Sequence, residues 1–171
     1  MRGLCFVLVL GLIATVAPAA TGAPEKARRA RVTHVSDGDT AYLKPLKYGT
    51  TAASWGGRKA RFIGVDTPEV YSSPDECYGK KASNFTKRKL AGKRVKITYG
   101  QDPLDPYDRA LVYVWLKGKL FNLTLVRKGF ARVLIYEPND RYETRLRRAQ
   151  KNARADDRGL WGACGGSAKR T

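Results

Sequence analysis

Arg31-Val32-Thr33-His34-Val35-Ser36-Asp37-Gly38-Asp39-Thr40-Ala41-Tyr42-Leu43 carries two short apolar–polar alternations on either side of an acidic, glycine-containing turn. A period of two sets one face of each segment against a core, so the stretch predicts two strands separated by a turn. Three more such segments follow, Lys59-Ala60-Arg61-Phe62-Ile63, Arg94-Val95-Lys96-Ile97-Thr98-Tyr99 and Leu111-Val112-Tyr113-Val114-Trp115-Leu116. Turn-rich connections are expected at 49–57 and at 100–106, where Gly, Asp and Pro cluster. Five short strands with this punctuation predict a small barrel.

Helical periodicity interrupts and follows the strands. Ala82, Phe85 and Leu90 share a face over 79–90, and Phe121, Leu125 and Val126 do so over 120–129. The longest pattern, 140–158, spaces Tyr142, Leu146, Ala149 and Ala153 along one stripe. Asp140 with Glu143 resembles a capping box, and Gly159 is the expected stop. The other faces of this helix carry Arg141, Arg145, Arg147, Arg148, Lys151, Arg154 and Arg158, which reads either as a solvated face or as a surface turned toward nucleic acid.

The chain has 171 residues, a formal net charge of +18 and 43% apolar residues, which describes one globular domain with a real core. Arg2 precedes an apolar run from Leu4 to Ile13 and then small residues through Ala23, the pattern of a secretory signal peptide over residues 1–23. Cleavage after Ala19 or after Ala23 fits the small residues. A membrane anchor is the competing reading, but the run is short of the roughly 20 residues a spanning helix needs. The folded domain is expected over 28–164, with a C-terminal tail at 165–171. Export removes Cys5 and leaves Cys77 and Cys164, which are expected to form one disulfide; the alternative is two unpaired buried thiols. Two cysteines and the single His34 cannot supply four protein ligands to zinc. One histidine also excludes phosphodiesterase mechanisms that need two.

Against this basic background, the carboxylates at strand ends carry the chemical information. Asp39 closes the first turn, and Asp66 and Glu69 follow Arg61 in Arg61-Phe62-Ile63-Gly64-Val65-Asp66-Thr67-Pro68-Glu69. Acids in a basic chain that attracts polyanions suit a metal placed between them and a phosphate. Each residue also has an ordinary reading. An Asp at a turn is often a backbone cap, and a strand Arg can be a surface residue with a buried stem.

Taken in order, Asp37-Gly38-Asp39-Thr40, Arg61 with Val65-Asp66-Thr67-Pro68-Glu69, Tyr78-Gly79, Ala82-Ser83, Phe85-Thr86-Lys87, Tyr107, Arg109, Leu125-Val126-Arg127, Ala131 and Tyr136 before Pro138-Asn139 resemble the secreted staphylococcal nuclease, or thermonuclease, family. The resemblance runs from about Arg31 to Trp161. It implies an α+β fold, a five-stranded OB-fold β-barrel with three α-helices. It also implies calcium-dependent hydrolysis of DNA and RNA to 3′-phosphorylated products, with single-stranded or unpaired substrate favoured. The protein is expected to be monomeric, secreted, and free of the membrane after signal cleavage.

Position by position, the resemblance makes Asp39 and Asp66 carboxylate ligands of Ca2+ and Thr67 a backbone-carbonyl ligand. A hard ion with roughly six to eight oxygen ligands leaves room beside these for waters and a phosphate oxygen. Glu69 is assigned as general base or water-orienting group, and Arg61 and Arg109 as phosphate clamps. Tyr107 and Tyr136 are substrate-binding. Asp37 either supports the metal from behind its ligands or hydrogen-bonds the Gly38 turn, and Thr40 offers a supporting hydroxyl.

Departures are local. The family segment usually reads Lys-Tyr-Gly-Arg where this chain has Pro106-Tyr107-Asp108-Arg109, so a phosphate-facing lysine is absent and Asp108 either pairs with Arg109 or repels substrate. Asp108→Gly is expected to raise turnover. Only one of two family tyrosines is matched, by Tyr136. The competing functional readings are a catalytically weak single-strand-binding module on the same barrel and a cationic membrane-active protein, the latter supported by charge alone.

Overall fold

A computed structural model describes residues 24, 26–46, 58–71 and 74–165. The predicted signal peptide, the turn-rich 49–57 segment and most of the tail lie outside these residues. In chain order the elements are β1 (Arg28–Val35), β2 (Thr40–Pro45), β3 (Arg58–Phe62), β4 (Gly64–Asp66), α1 (Gly79–Leu90), β5 (Arg94–Leu104), β6 (Ala110–Leu116), β7 (Lys119–Leu120), α2 (Phe121–Arg127), β8 (Arg132–Leu134), α3 (Glu143–Ala155) and α4 (Leu160–Ala163).

The alternation of β1 sends Ala30 and Val32 inward, and a bulge between Val32 and His34 returns Val35 to the same side. β1 pairs antiparallel with β2 on one side and β5 on the other. β2 continues antiparallel to β3, and β5 to β6. Parallel pairing of β3 with β6, Arg61 opposite Leu111, closes the circuit into a five-stranded barrel. Closure removes every edge among these strands and leaves Val32, Phe62, Val112 and Val114 with no more than 1% of their surface exposed.

Helices plug the barrel by aromatic packing. Phe85 of α1 stacks on Phe130 at 4.2 Å and on Phe121 of α2 at 6.0 Å, and Phe121 meets Phe62 edge-on at 6.2 Å. Asn122 is fully buried and replaces three backbone contacts with its own amide. Its Oδ1 accepts from the Val114 N–H at 2.9 Å, and its Nδ2 donates to the carbonyls of Ile63 (2.9 Å) and Val112 (3.3 Å). Helix α2 is thereby fixed to β6 and to the exit of β3.

Four expectations need correction. β5 runs on to Leu104 through the predicted turn, because a register shift after Tyr99 absorbs Pro103 before pairing resumes at Leu104 opposite Ala110. A second small sheet, β4 with β8, and a fourth helix, α4, had no pattern long enough to announce them. α3 has no capping box: its N-cap is Tyr142, Asp140 offers its backbone carbonyl to the Glu143 N–H at 2.7 Å, and the Glu143 carboxylate turns to Arg147. The helix ends at Ala155, so Gly159 is not its stop. At φ +61, Gly159 instead lets the chain pass Gly129, whose carbonyl would lie 2.3 Å from any added Cβ. Cys77 and Cys164 are joined, with Cα atoms 6.1 Å apart, tying the chain before α1 to the end of α4.

Candidate active site

The turn between β1 and β2 brings Asp39 beneath the exit of β4. Thr67, two residues past the barrel strands' neighbour Val65, packs on Gly38 so closely that a Cβ there would sit 2.5 Å from Thr67 Oγ1. Thr86 of α1 donates its hydroxyl to the Gly38 carbonyl at 2.7 Å, so the helix holds the same turn from behind. Sequence therefore fixes this loop three times, from β1, from Thr67 and from α1.

Asp39 is 3% exposed and is contacted at both carboxylate oxygens. Its Oδ2 accepts from the Thr67 N–H at 2.7 Å and from Thr67 Oγ1 at 3.0 Å, and its Oδ1 accepts from Thr40 Oγ1 at 3.1 Å. Arg61 bridges the two principal carboxylates: one terminal nitrogen pairs with Asp39 and the other lies 3.0 Å from Asp66 Oδ1. The Arg61 position follows from β3 pairing, which sets it opposite Thr40. Asp37 accepts from the Asp39 N–H at 3.0 Å and shapes the turn.

Two carboxyls here sit above their ordinary range. Burial pushes Asp37 up, against the pull of its hydrogen bond with Thr40 and the charge of Arg61. Glu69 is raised by partial burial first and by the negative charges of Asp37, Asp66 and Glu76, although solvent reaches the residue. Burial also lowers Arg61, offset in part by Asp66 and Asp37. Burial is the leading cause for both carboxyls, and a group raised toward neutrality is better suited to exchange a proton.

Beside Arg61 opens a cavity of about 390 Å³, lined among others by Arg109, Tyr107, Tyr136 and Asp105. Tyr107 and Tyr136 are 80% and 67% exposed, unusual for aromatic rings without a partner to meet. Arg109 is aimed by Asp105, whose Oδ2 takes the Arg109 Nε–H at 2.5 Å while its Oδ1 accepts from the N–H groups of Tyr107 (3.0 Å) and Arg109 (2.9 Å). Asp105, four residues before Arg109, is therefore a partner the arginine has at this turn. Asp108 sits at the turn with φ +57. Tyr136 is held by Asn139, whose N–H donates to the Tyr136 carbonyl at 2.9 Å and whose side chain exchanges two hydrogen bonds with the Asp102 backbone.

Asp105 was absent from the sequence-level candidates, though an Asp opening an Asp-Pro turn is a legible side-chain cap. Glu76 was absent too. Its carboxylate accepts from the Glu69 N–H at 3.1 Å and its own N–H returns to the Glu69 carbonyl at 3.0 Å, clipping the loop that presents Glu69. No local pattern would have revealed that. A separate trio, Glu137, Asp140 and Glu143, brings carboxylate oxygens within 4.8 Å of one another on the surface, with Glu143 already paired to Arg147. Among the described residues, no helix is long and apolar enough to cross a membrane.

An acid-and-arginine centre on the rim of a closed five-stranded barrel, beside an aromatic-lipped cavity, defines a phosphodiester-cleaving enzyme of the OB-fold class. The family model of staphylococcal nuclease homologues matches residues 59–163. The thermonuclease of Staphylococcus intermedius is 42% identical over 132 residues, covering 76% of this chain and 74% of that protein. That of Staphylococcus hyicus is 40% identical over 133 residues, 77% and 74% of the two chains. The endonuclease YhcR of Bacillus subtilis is 36% identical over 141 residues, 76% of this chain and 11% of the longer relative. The chain belongs to the staphylococcal nuclease family, and it is a nuclease that hydrolyses nucleic acids.

Proposed function

We propose that the chain is an exported, calcium-dependent nuclease that cuts DNA and RNA and leaves 3′-phosphorylated products. The observation that carries this reading is the single guanidinium of Arg61 bridging Asp39 and Asp66 at the edge of the Tyr107–Tyr136 cavity. The donor set fits calcium. It is all hard oxygen, from the Asp39 and Asp66 carboxylates and the Thr67 carbonyl, and Glu69, raised first by burial, is raised further by the negative charges of Asp37, Asp66 and Glu76. When bound, the ion supplies Lewis-acid polarisation of the phosphate and a template for the attacking water.

The chain's own groups do the rest. Glu69 orients the water or takes its proton, a role its raised carboxyl favours. Arg61 and Arg109 meet the charge that builds on the phosphoryl oxygens, with Arg109 held at Nε by Asp105 where it lines the cavity. Tyr107 and Tyr136 stack on or hydrogen-bond nucleotides without regard to sequence. Unpaired strands fit such a lip better than a duplex. Thr40 and Asp37 keep Asp39 in place. The Cys77–Cys164 bridge, in an oxidising compartment, holds the segment behind Glu76 against α4.

The test is cleavage of single-stranded DNA by the chain without its first 23 residues, with millimolar calcium and with calcium chelated, followed by end-group analysis. Calcium-dependent products bearing 3′-phosphates support the reading. Tight binding with no cleavage in calcium would instead assign the chain to the single-strand-binding alternative.

A further inference from the structure

The outside of the barrel carries a second concentration of charge that the site does not use. Register places Arg31 of β1 directly opposite Lys44 of β2 on one side and Arg94 of β5 on the other, and Arg29 opposite Lys96. All five are exposed, while the residues between them, Ala30, Val32 and Val95, point into the core. Strands β1 and β2 and the first six residues of β5 contain no Asp or Glu. Among the described residues, none of the five takes part in an ion pair. Like charges facing each other across a ladder destabilise a sheet, so this arrangement works against the fold that carries it.

The arginines of the 140–158 run differ. Arg147 is paired with Glu143, Arg158 with Asp156, and Arg154 lies 4.2 Å over the Trp161 ring. Much of the α3 charge run is met within the protein. Among the described residues the barrel-face cations have no such partner, and they are continuous with the site. Tyr42 and Lys44 lie on the outward side of β2, in line with buried Thr40, with Arg61 opposite Thr40 and exposed Lys59 opposite Tyr42. From Thr40 to Lys44 is about 13 Å at strand spacing. Midway, the rings of His34 and Tyr42 lie 5.8 Å apart, offering faces on which a base can stack.

We infer that the outer face of β1, β2 and β5 is a second phosphate-binding surface, which holds the stretch of polynucleotide flanking the bond being cut. The inference rests on the active-site reading only for the direction of the track, from Arg61 through Lys59 and Tyr42 to Lys44, Arg31 and Arg94. It gives long strands an advantage over short ones, because flanking phosphates add attachment without touching the reacting atoms.

The test is the triple variant Arg31→Gln, Lys44→Gln, Arg94→Gln. Binding of a fluorescent single strand is measured with calcium chelated, between about 50 and 200 mM salt. At about 0.7 per neutralised phosphate, the slope of log affinity against log salt should become shallower by about two. In calcium, kcat/KM for the long strand should fall about tenfold at the low-salt end while that for a dinucleotide stays unchanged. The variant should melt no lower than the parent, since three repelling charges are gone. An unchanged salt slope, or an equal loss on the long strand and the dinucleotide, would overturn the inference. So would a variant that binds DNA like the parent but loses binding to phosphatidylglycerol vesicles, which would assign the face to an anionic membrane. If neither protein cleaves anything, the catalytic reading fails while the salt slope still decides the surface.

Discussion

Arginine does opposite things at the two ends of the β1–β2 pair. At the site end, Arg61 is largely buried and flanked by Asp39 and Asp66, so each charge is held by its neighbour in fixed geometry. At the other end, Arg31 is exposed and flanked by Lys44 and Arg94, so each charge is repelled by its neighbour. Both arrangements come from the same barrel register. On the proposed reading, the first preorganises groups for a reaction at one phosphate, and the second offers charge to a polymer and gives no orientation. Salt should separate them, because screening acts strongly between exposed charges and weakly on a buried, hydrogen-bonded pair.

The largest effect is expected at Arg61. Arg61→Ala should lower kcat by about a thousandfold with a much smaller change in KM, if the guanidinium acts on transition-state charge as proposed. The loss should persist at high salt, measured as steady-state kinetics on single-stranded DNA. A loss that disappears in salt would erase the distinction between the two regions.

Asp105→Asn should come next. It retains an oxygen for the Tyr107 and Arg109 N–H groups but removes the charge that holds Arg109 Nε. As Asp105 positions another group, kcat should fall about tenfold while KM and melting temperature hold. Equal changes in kcat and stability would mean the residue serves the turn alone.

Asp108→Gly should give the smallest change and the only gain. At φ +57 the aspartate is held where glycine is at ease, and its charge stands next to Arg109. Turnover should rise by about twofold and stability by about 0.5 kcal/mol. An unchanged or lower rate would remove Asp108 from the account of the family departure at this turn.

The parts of this molecule that were legible in sequence share a cause. The alternation of Ala30 and Val32, or Val95 and Ile97, is written in adjacent residues, so the five barrel strands and the faces of α1 and α3 could be read locally. β4 and β8 have three residues each, too few to show a period, and their pairing joins Gly64 to Leu134 across the chain. The acids and arginines of the site were nameable through turn position and family resemblance, but their pairing was not. That Arg61 bridges Asp39 and Asp66, that Asp105 holds Arg109, and that Glu76 clips the Glu69 loop are consequences of barrel closure and loop docking. The opposed cations of the outer face were invisible for the same reason: Arg31, Lys44 and Arg94 are unremarkable until register sets them side by side.

The most direct measurement is a calcium titration of single-stranded DNA turnover for the parent chain and for Asp39→Asn, with melting temperature followed in parallel. Asparagine keeps the shape of Asp39 and removes the charge that the Thr67, Thr40 and Arg61 contacts gather around. The account predicts saturable activation of the parent by calcium and loss of both activation and turnover in a variant that still folds. Full calcium-dependent turnover in folded Asp39→Asn would contradict it and move the metal and the chemistry elsewhere on the barrel.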